Sequence, residues 1–366
     1  MAGSTYGNNF KITTWGESHG KAVGVVIDGC PAGLKLSESD IQPFLDRRKP
    51  GTNALSTPRS EDDEVEILSG VFEGKTTGTP ISMMIRNKTQ ISADYSEISS
   101  KYRPGHADYS FDSKYGFRDY RGGGRSSGRE TAARVCAGAV AMLILKELGI
   151  KVYAYTKAIG PVVLDEKDIN LNLLYKTPSM MPNTEADEKA CDYVEKLKDE
   201  QDSTGGIIEC VVTGLPAGIG EPVFDKLDAS VSKAVMSIGA VKAVEIGDGI
   251  KVSSARGSEN NDGFFMDNGK VCKITNHSGG TLGGMSDSSP LLIRAHVKPT
   301  PSIFKKQQTV TSTHTDTTIE IKGRHDPVIV PRAVVVTESM VAITVLDLMM
   351  SNMSARLDRM IDFYKN

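Results

Sequence analysis

The chain has 366 residues, a formal net charge of −3 and five cysteines. That length exceeds an average domain and can bury a large core, while still admitting one large α/β or α+β domain. The near-neutral charge excludes a general nucleic-acid binder, and an odd number of cysteines without a C-x-x-C pair argues against a disulfide or zinc framework and for reduced thiols in a cytosol.

In chain order, Met1 to Tyr6 lacks the basic start and apolar stretch of a signal peptide. No segment is read as approaching a membrane-spanning length, the longest apolar run being Val135 to Leu145, so the expectation is a soluble cytoplasmic protein without membrane partners. Val25 to Asp28 reads as a strand, followed by the turn Gly29-Cys30-Pro31-Ala32-Gly33 and a helix through Ile41 to Arg48. Glu130 to Leu148 is rich in Ala, Leu and Met and reads as a helix that Gly149 stops. Glu185 to Asp202 reads as an exposed helix between Pro182-Asn183 and Ser203-Thr204-Gly205-Gly206. Val211 to Ile219 repeats the strand and the P-A-G turn, with a helix following over Val223 to Met236. Thr79 to Arg86 is echoed in the same relative order by Ser289 to Arg294. Ala333 to Leu348 has the density of a core or interface helix, and Ser351 to Lys365 reads as its exposed continuation. No low-complexity linker divides the chain, so the pattern predicts one integrated α+β domain over residues 1–366 with antiparallel sheets. The echoes suggest internal duplication, roughly 10–180 and 205–350.

The chemistry concentrates at Gly122-Gly123-Gly124-Arg125-Ser126-Ser127-Gly128-Arg129, directly before the Glu130 helix. Glycines bring backbone N–H groups close to a ligand and the helix start favours negative charge, so a phosphate suits this loop. A P-loop reading fails, because Arg129 stands where the lysine belongs and Glu130 where a hydroxyl should hold magnesium. Arg47, Arg48, Arg59, Arg103, Arg121, Arg125, Arg129 and Arg324 recur beside Gly, Pro and His, which describes a site for a small, multiply anionic ligand. His19 and His106 lie in loop-like segments; beside arginines an imidazole is easier to keep neutral, and it can pass a proton near physiological pH. No histidine pair has metal-ligand spacing, and no metal is expected.

Three segments carry a resemblance: Gly16 to Pro31, Gly124 to Thr131, and Arg324-His325-Asp326-Pro327 continuing to Glu338-Ser339-Met340. Together with Phe72-Glu73-Gly74, Arg103 to Tyr109 and Val244 to Gly249, in the same order, they resemble the signature regions of chorismate synthases. The resemblance implies a carbon–oxygen lyase that eliminates phosphate and a ring proton from 5-enolpyruvylshikimate 3-phosphate, in aromatic amino acid biosynthesis, with reduced FMN required although no net redox change occurs. It implies a β-α-β sandwich, with two antiparallel sheets packed together, helices outside and internal pseudo-symmetry, and a homotetramer.

By the same resemblance His19 protonates the leaving phosphate, His106 protonates or balances the reduced flavin, and Asp326 helps the flavin nitrogen act as base. Arg48, Arg59, Arg103, Arg129 and Arg324 become substrate clamps. Flavin contacts fall to Arg125, Ser126, Ser127, Gly239, Ala240, Gly283, Lys298, Pro299, Thr300, Pro301, Ser302 and Arg324. The chain departs from the family pattern at Gly128 (usually Ala), Gly239 (often Asn), Ala54 (often Arg) and Ser278 (usually Ala). Those at Gly239 and Ala54 keep open the alternative of a flavin- or phosphate-binding protein without lyase activity. No G-x-G-x-x-G fingerprint follows a strand, so the flavin is expected to be reduced from outside, with NADPH only an indirect reductant.

Overall fold

The structure is a computed structural model that describes residues 3–51, 55, 62–88, 96–321 and 326–365. Arg59, Arg324 and Ala54 lie outside the described residues.

Alternating burial builds two sheets of matching order. Strands β1 (Lys11–Gly16), β2 (Ala22–Asp28), β3 (Val65–Ile67) and β4 (Ile81–Arg86) pair antiparallel in the order β1-β2-β4-β3, with the short strand Thr5–Tyr6 beyond β1. Val23, Val25 and Ile27 face the same buried side as Ile81, Met83 and Ile85, the period-2 pattern of a half-buried sheet. Helix α1 (Glu38–Arg48) connects β2 to β3, α2 (Asp108–Tyr115) follows β4, and α3 (Thr131–Glu147) ends at Gly149, whose φ is +74°.

Strands β5 (Lys151–Ile159), β6 (Gly206–Thr213), β7 (Val241–Ile246) and β8 (Leu291–Val297) pair in the order β5-β6-β8-β7, with Val162–Val163 beyond β5. The exposed helix α4 (Thr184–Asp199) is inserted between β5 and β6, and α5 (Leu227–Met236) stands between β6 and β7 as α1 stands between β2 and β3. A small hairpin precedes β4 (Val71–Phe72 with Lys75–Thr76) and another precedes β8 (Thr281–Leu282 with Met285–Ser286). Helix α6 (Val330–Asn352) follows the second sheet, and α7 (Leu357–Lys365) lies on the surface.

The α+β class and the antiparallel sheets match expectation, but the layer order is corrected: the long helices lie between the sheets, not outside them. Helix α3 packs on β1, β2 and β4 and against α6, which in turn packs on β5, β6, α1 and α5. The reason is in α6, where every residue from Val334 to Leu348 is buried. A helix buried on every side has no face to offer water, so α3, α1 and α5 cover it on one side and the second sheet on the other, while the first sheet closes over α3. Its hydroxyls bond back to carbonyls four residues earlier, Thr337 to Ala333 at 3.0 Å, Ser339 to Val335 at 2.7 Å and Thr344 to Met340 at 2.7 Å, which leaves no buried hydroxyl unpaired along these turns. At the α3–α6 contact a Cβ on Gly138 would fall 2.2 Å from Ser339 Cβ, so only glycine permits this approach.

The expectation that nothing approaches a membrane-spanning length is also corrected. Helix α6 is long and apolar enough, but 83% of its apolar window is buried inside the protein, as a core helix requires. Its Glu338 carboxylate, fully buried, accepts from Arg47 at 2.7 and 3.2 Å, from the Tyr175 hydroxyl at 2.5 Å and from Ala154 N at 2.9 Å. Arg47 therefore serves the core rather than an anion site. All five cysteines are free thiols.

Candidate active site

The last turn of α1 delivers Arg48 into a buried charge network. Its Nε and Nη2 donate to Asp63 Oδ2 at 3.2 and 2.6 Å, and its Nη1 donates to Gly128 O at 3.2 Å. Arg129 donates to the other oxygen of Asp63 and, through Nε, to Asn87 Oδ1 at 2.9 Å. One carboxylate thus bridges two guanidiniums. Burial raises the Asp63 pKa, but Arg48 and Arg129 outweigh it and hold the carboxyl below its ordinary value. Burial, together with the cations Arg332 and Arg129, moves Arg48 below its ordinary value despite Asp63. From the first turn of α6, Arg332 donates through Nε to Arg48 O at 2.9 Å and through Nη1 to Asp326.

A second wall is built from two loops. Gly105, at φ +71°, makes the tight turn that lets Lys298 Nζ donate to its carbonyl at 2.8 Å; a Cβ there would meet Pro301 at 2.6 Å. His106 Nδ1 lies 3.0 Å from Pro104 O and its Nε2 3.1 Å from Ser302 Oγ. A carbonyl only accepts, so Nδ1 carries the hydrogen and Nε2 accepts from Ser302, which assigns the tautomer. Burial, then Arg103, pushes the imidazole down to about 4, so it is neutral at physiological pH. Lys298 N donates to Ala240 O at 2.9 Å, and Ser203 Oγ donates to Thr300 O at 2.7 Å. Thr204 N donates to Pro327 O at 3.0 Å, which ties the Asp326 segment to the same loop.

The glycine loop closes the third side. Arg125 donates to Gly16 O at 3.1 Å and to Thr14 Oγ1 at 2.7 Å; Ser126 Oγ donates to Gly123 O, and Ser127 Oγ accepts from Arg129 N. Glu130 links this loop to the second wall, accepting from Thr14 at 2.8 Å and from Arg134 at 2.8 Å, while Arg134 reaches Ser237 Oγ at 2.7 Å. His19 packs on bare backbone: a Cβ on Gly122 would lie 2.2 Å from its Nδ1.

Not every expected residue joins this group. Arg103 turns its fork onto Asp108 at 2.8 and 2.7 Å rather than toward an open site. Gly283 sits in the hairpin before β8, whose Gly284 O accepts from Leu227 N at the start of α5, whereas Ala240 follows the far end of that helix.

A profile of the chorismate synthase family matches residues 10–350. The chain is 62% identical over 365 residues to the chorismate synthase of Agathobacter rectalis and 63% identical over 366 residues to that of Lachnoclostridium phytofermentans, covering 100% of each chain in both cases. The chain belongs to the chorismate synthase family. A crystal structure of chorismate synthase superposes with a TM-score of 0.75 at 30% identity, covering 98% of this chain and 97% of that one. The activity read from the sequence motifs stands: a chorismate synthase, a carbon–oxygen lyase acting on a phosphate ester.

Chorismate synthases imply dependence on reduced flavin, and the second wall fits such a group. Thr300 Oγ1 is buried without a hydrogen-bond partner, which a polar ligand would supply. A Cβ on Gly239 would meet nothing within 4 Å, so that position is open space. The Gly128 departure is equally open. Ser278 is not idle, since its Oγ accepts from the buried Lys273 at 2.7 Å. Three residues of the network escaped the sequence reading: Asp63, Asp108 and Arg332. Asp63 sits in Asp62-Asp63-Glu64, which looks like a solvated acidic run, although its side chain is fully buried. Arg332 follows the Asp326 motif at a distance that only the turn into α6 explains.

Proposed function

We propose that this chorismate synthase binds 5-enolpyruvylshikimate 3-phosphate over the Arg48–Asp63–Arg129 network, beside an FMN site lined by Arg125, Ser126, Ser127, Gly239, Ala240 and Lys298 to Ser302. The observation that carries this reading is the chain of contacts in which Arg332 bonds to the Arg48 carbonyl and to Asp326, the next residue Pro327 accepts from Thr204, and the adjacent Ser203 donates to Thr300 O. The substrate bears two carboxylates and a phosphate, and the bridging of two arginines by one aspartate leaves net positive charge to receive them. Arg59 and Arg324 complete the clamp by family resemblance, and Arg103 orients the His106 loop through Asp108.

The overall step breaks the carbon–oxygen bond to phosphate and removes a ring proton. The chemistry that bound reduced flavin supplies is transient electron donation to the allylic system and acceptance of that proton. His19, against the glycine loop, gives a proton to the departing phosphate. His106, neutral with Nε2 toward Ser302, takes up a proton when an anion is placed against it. Asp326, on Arg332, holds the proton-accepting side.

The supporting topology also favours an internal duplication in which β5 opens the second unit, rather than residue 205, because β1-β2-β4-β3 and β5-β6-β8-β7 correspond strand for strand. A cytoplasmic homotetramer whose flavin is reduced by an external donor completes the proposal, with NADPH acting only through that donor and Gly283 a further flavin contact by family resemblance.

The test is anaerobic phosphate release and chorismate absorbance from 5-enolpyruvylshikimate 3-phosphate with dithionite-reduced FMN, beside an oxidised-FMN control. Turnover only with reduced flavin is expected. Equal turnover without it refutes the cofactor assignment, and aerobic turnover with NADPH and FMN alone refutes the external reductant.

A further inference from the structure

We infer that Arg332 is a positioning residue for the reaction, a guanidinium strut that sets the Asp326 carboxylate relative to the substrate clamp; this rests on the proton-handling role of Asp326 proposed above. Arg332 stands on the first turn of α6, immediately after Val330 and Pro331, both buried, so its base is fixed by the core helix. Its fork is divided. Nη1 meets Asp326 Oδ2, and Nε donates to the backbone carbonyl of Arg48 at 2.9 Å.

Two distant segments, the end of α1 and the loop before α6, are thereby held at one spacing by a rigid planar group. Planarity is what the task needs, since two donors in one fixed frame define a separation and an angle. A lysine ammonium would reach either partner but would not impose the frame. The side chain of Arg332 is 22% exposed and that of Asp326 is 9% exposed, so the pair borders the site rather than lying in solvent or deep in the core. The guanidinium of Arg48 has its own supports on Asp63 and Gly128. Removing Arg332 should therefore disturb Asp326 and leave the anion clamp in place.

The experiment compares Arg332→Ala, Arg332→Lys and Asp326→Asn with the unaltered enzyme, using saturating chemically reduced FMN, and measures oxidised-FMN binding separately by flavin fluorescence. Arg332→Ala is expected to lose about tenfold to a hundredfold in kcat, the scale of a displaced reacting group. Its KM for 5-enolpyruvylshikimate 3-phosphate and its FMN affinity should stay within about threefold of the parent, and millimolar free guanidinium should restore part of kcat. Arg332→Lys should keep KM and remain low in kcat, which answers the question even if the alanine variant fails to fold.

Parental kcat in Arg332→Ala, or a loss that free guanidinium does not relieve, overturns the inference. Normal turnover by Asp326→Asn overturns the role of Asp326 itself. An inactive Asp326→Asn beside a fully active Arg332→Ala overturns only the strut.

Discussion

The depressed pKa of His106 makes stability itself a reporter of the site. The imidazole titrates at 6.5 in an ordinary setting and at about 4 here, because burial and then Arg103 disfavour its cation. Between those values the unfolded chain binds a proton that the folded chain refuses, so stability falls as pH drops below 6.5 and the loss is complete near 4. From about pH 7.5 to about pH 5, linkage gives a loss of about 2 kcal/mol attributable to this one ring. Residual solvent contact at the ring trims that toward about 1 kcal/mol. His106→Gln removes the titration, so the parent should lose about 1 to 2 kcal/mol more than the variant over that range. Urea unfolding at matched pH measures the difference, and histidine ring NMR locates the titration directly. A pH-independent difference between the two chains, or a His106 ring titrating near its ordinary value, refutes the burial argument.

Other substitutions probe the clamp and the core. Arg48→Lys keeps the charge but loses the two-point hold on Asp63, and should raise the KM for 5-enolpyruvylshikimate 3-phosphate about tenfold with a smaller change in kcat; an unchanged KM in steady-state assays would remove Arg48 from the substrate site. Asp326→Ala should lower kcat about a hundredfold with little change in KM, and normal turnover with reduced FMN would contradict its acid–base role. Gly138→Ala places a methyl where α3 meets Ser339 of α6, and should cost about 1 to 3 kcal/mol in denaturant unfolding. A variant as stable as the parent would mean that the two helices separate freely.

The sequence carried much of the catalytic vocabulary. Glycines before a helix, arginines beside loops and histidines outside any packing pattern are local signals, and they single out Gly122 to Arg129, His19, His106 and the Asp326 segment as candidates. The antiparallel α+β class and the echo of P-A-G turns were legible for the same reason, since strand period, turn chemistry and helix stops are written in neighbouring residues.

Layer order and partnership were not written that way. That α3 and α6 lie between the sheets depends on the first sheet presenting its apolar face to α3 and the second to α6, a relation between segments far apart in the chain. Whether an arginine clamps a ligand or holds the protein together depends on which carboxylate the fold brings to it: Arg47 goes to Glu338, Arg103 to Asp108, and Arg48 with Arg129 to Asp63. Charge and hydrogen-bonding capacity belong to a side chain, so sequence alone determined what chemistry was present. Distance and burial belong to pairs of side chains, so only the tertiary structure decided where that chemistry was used.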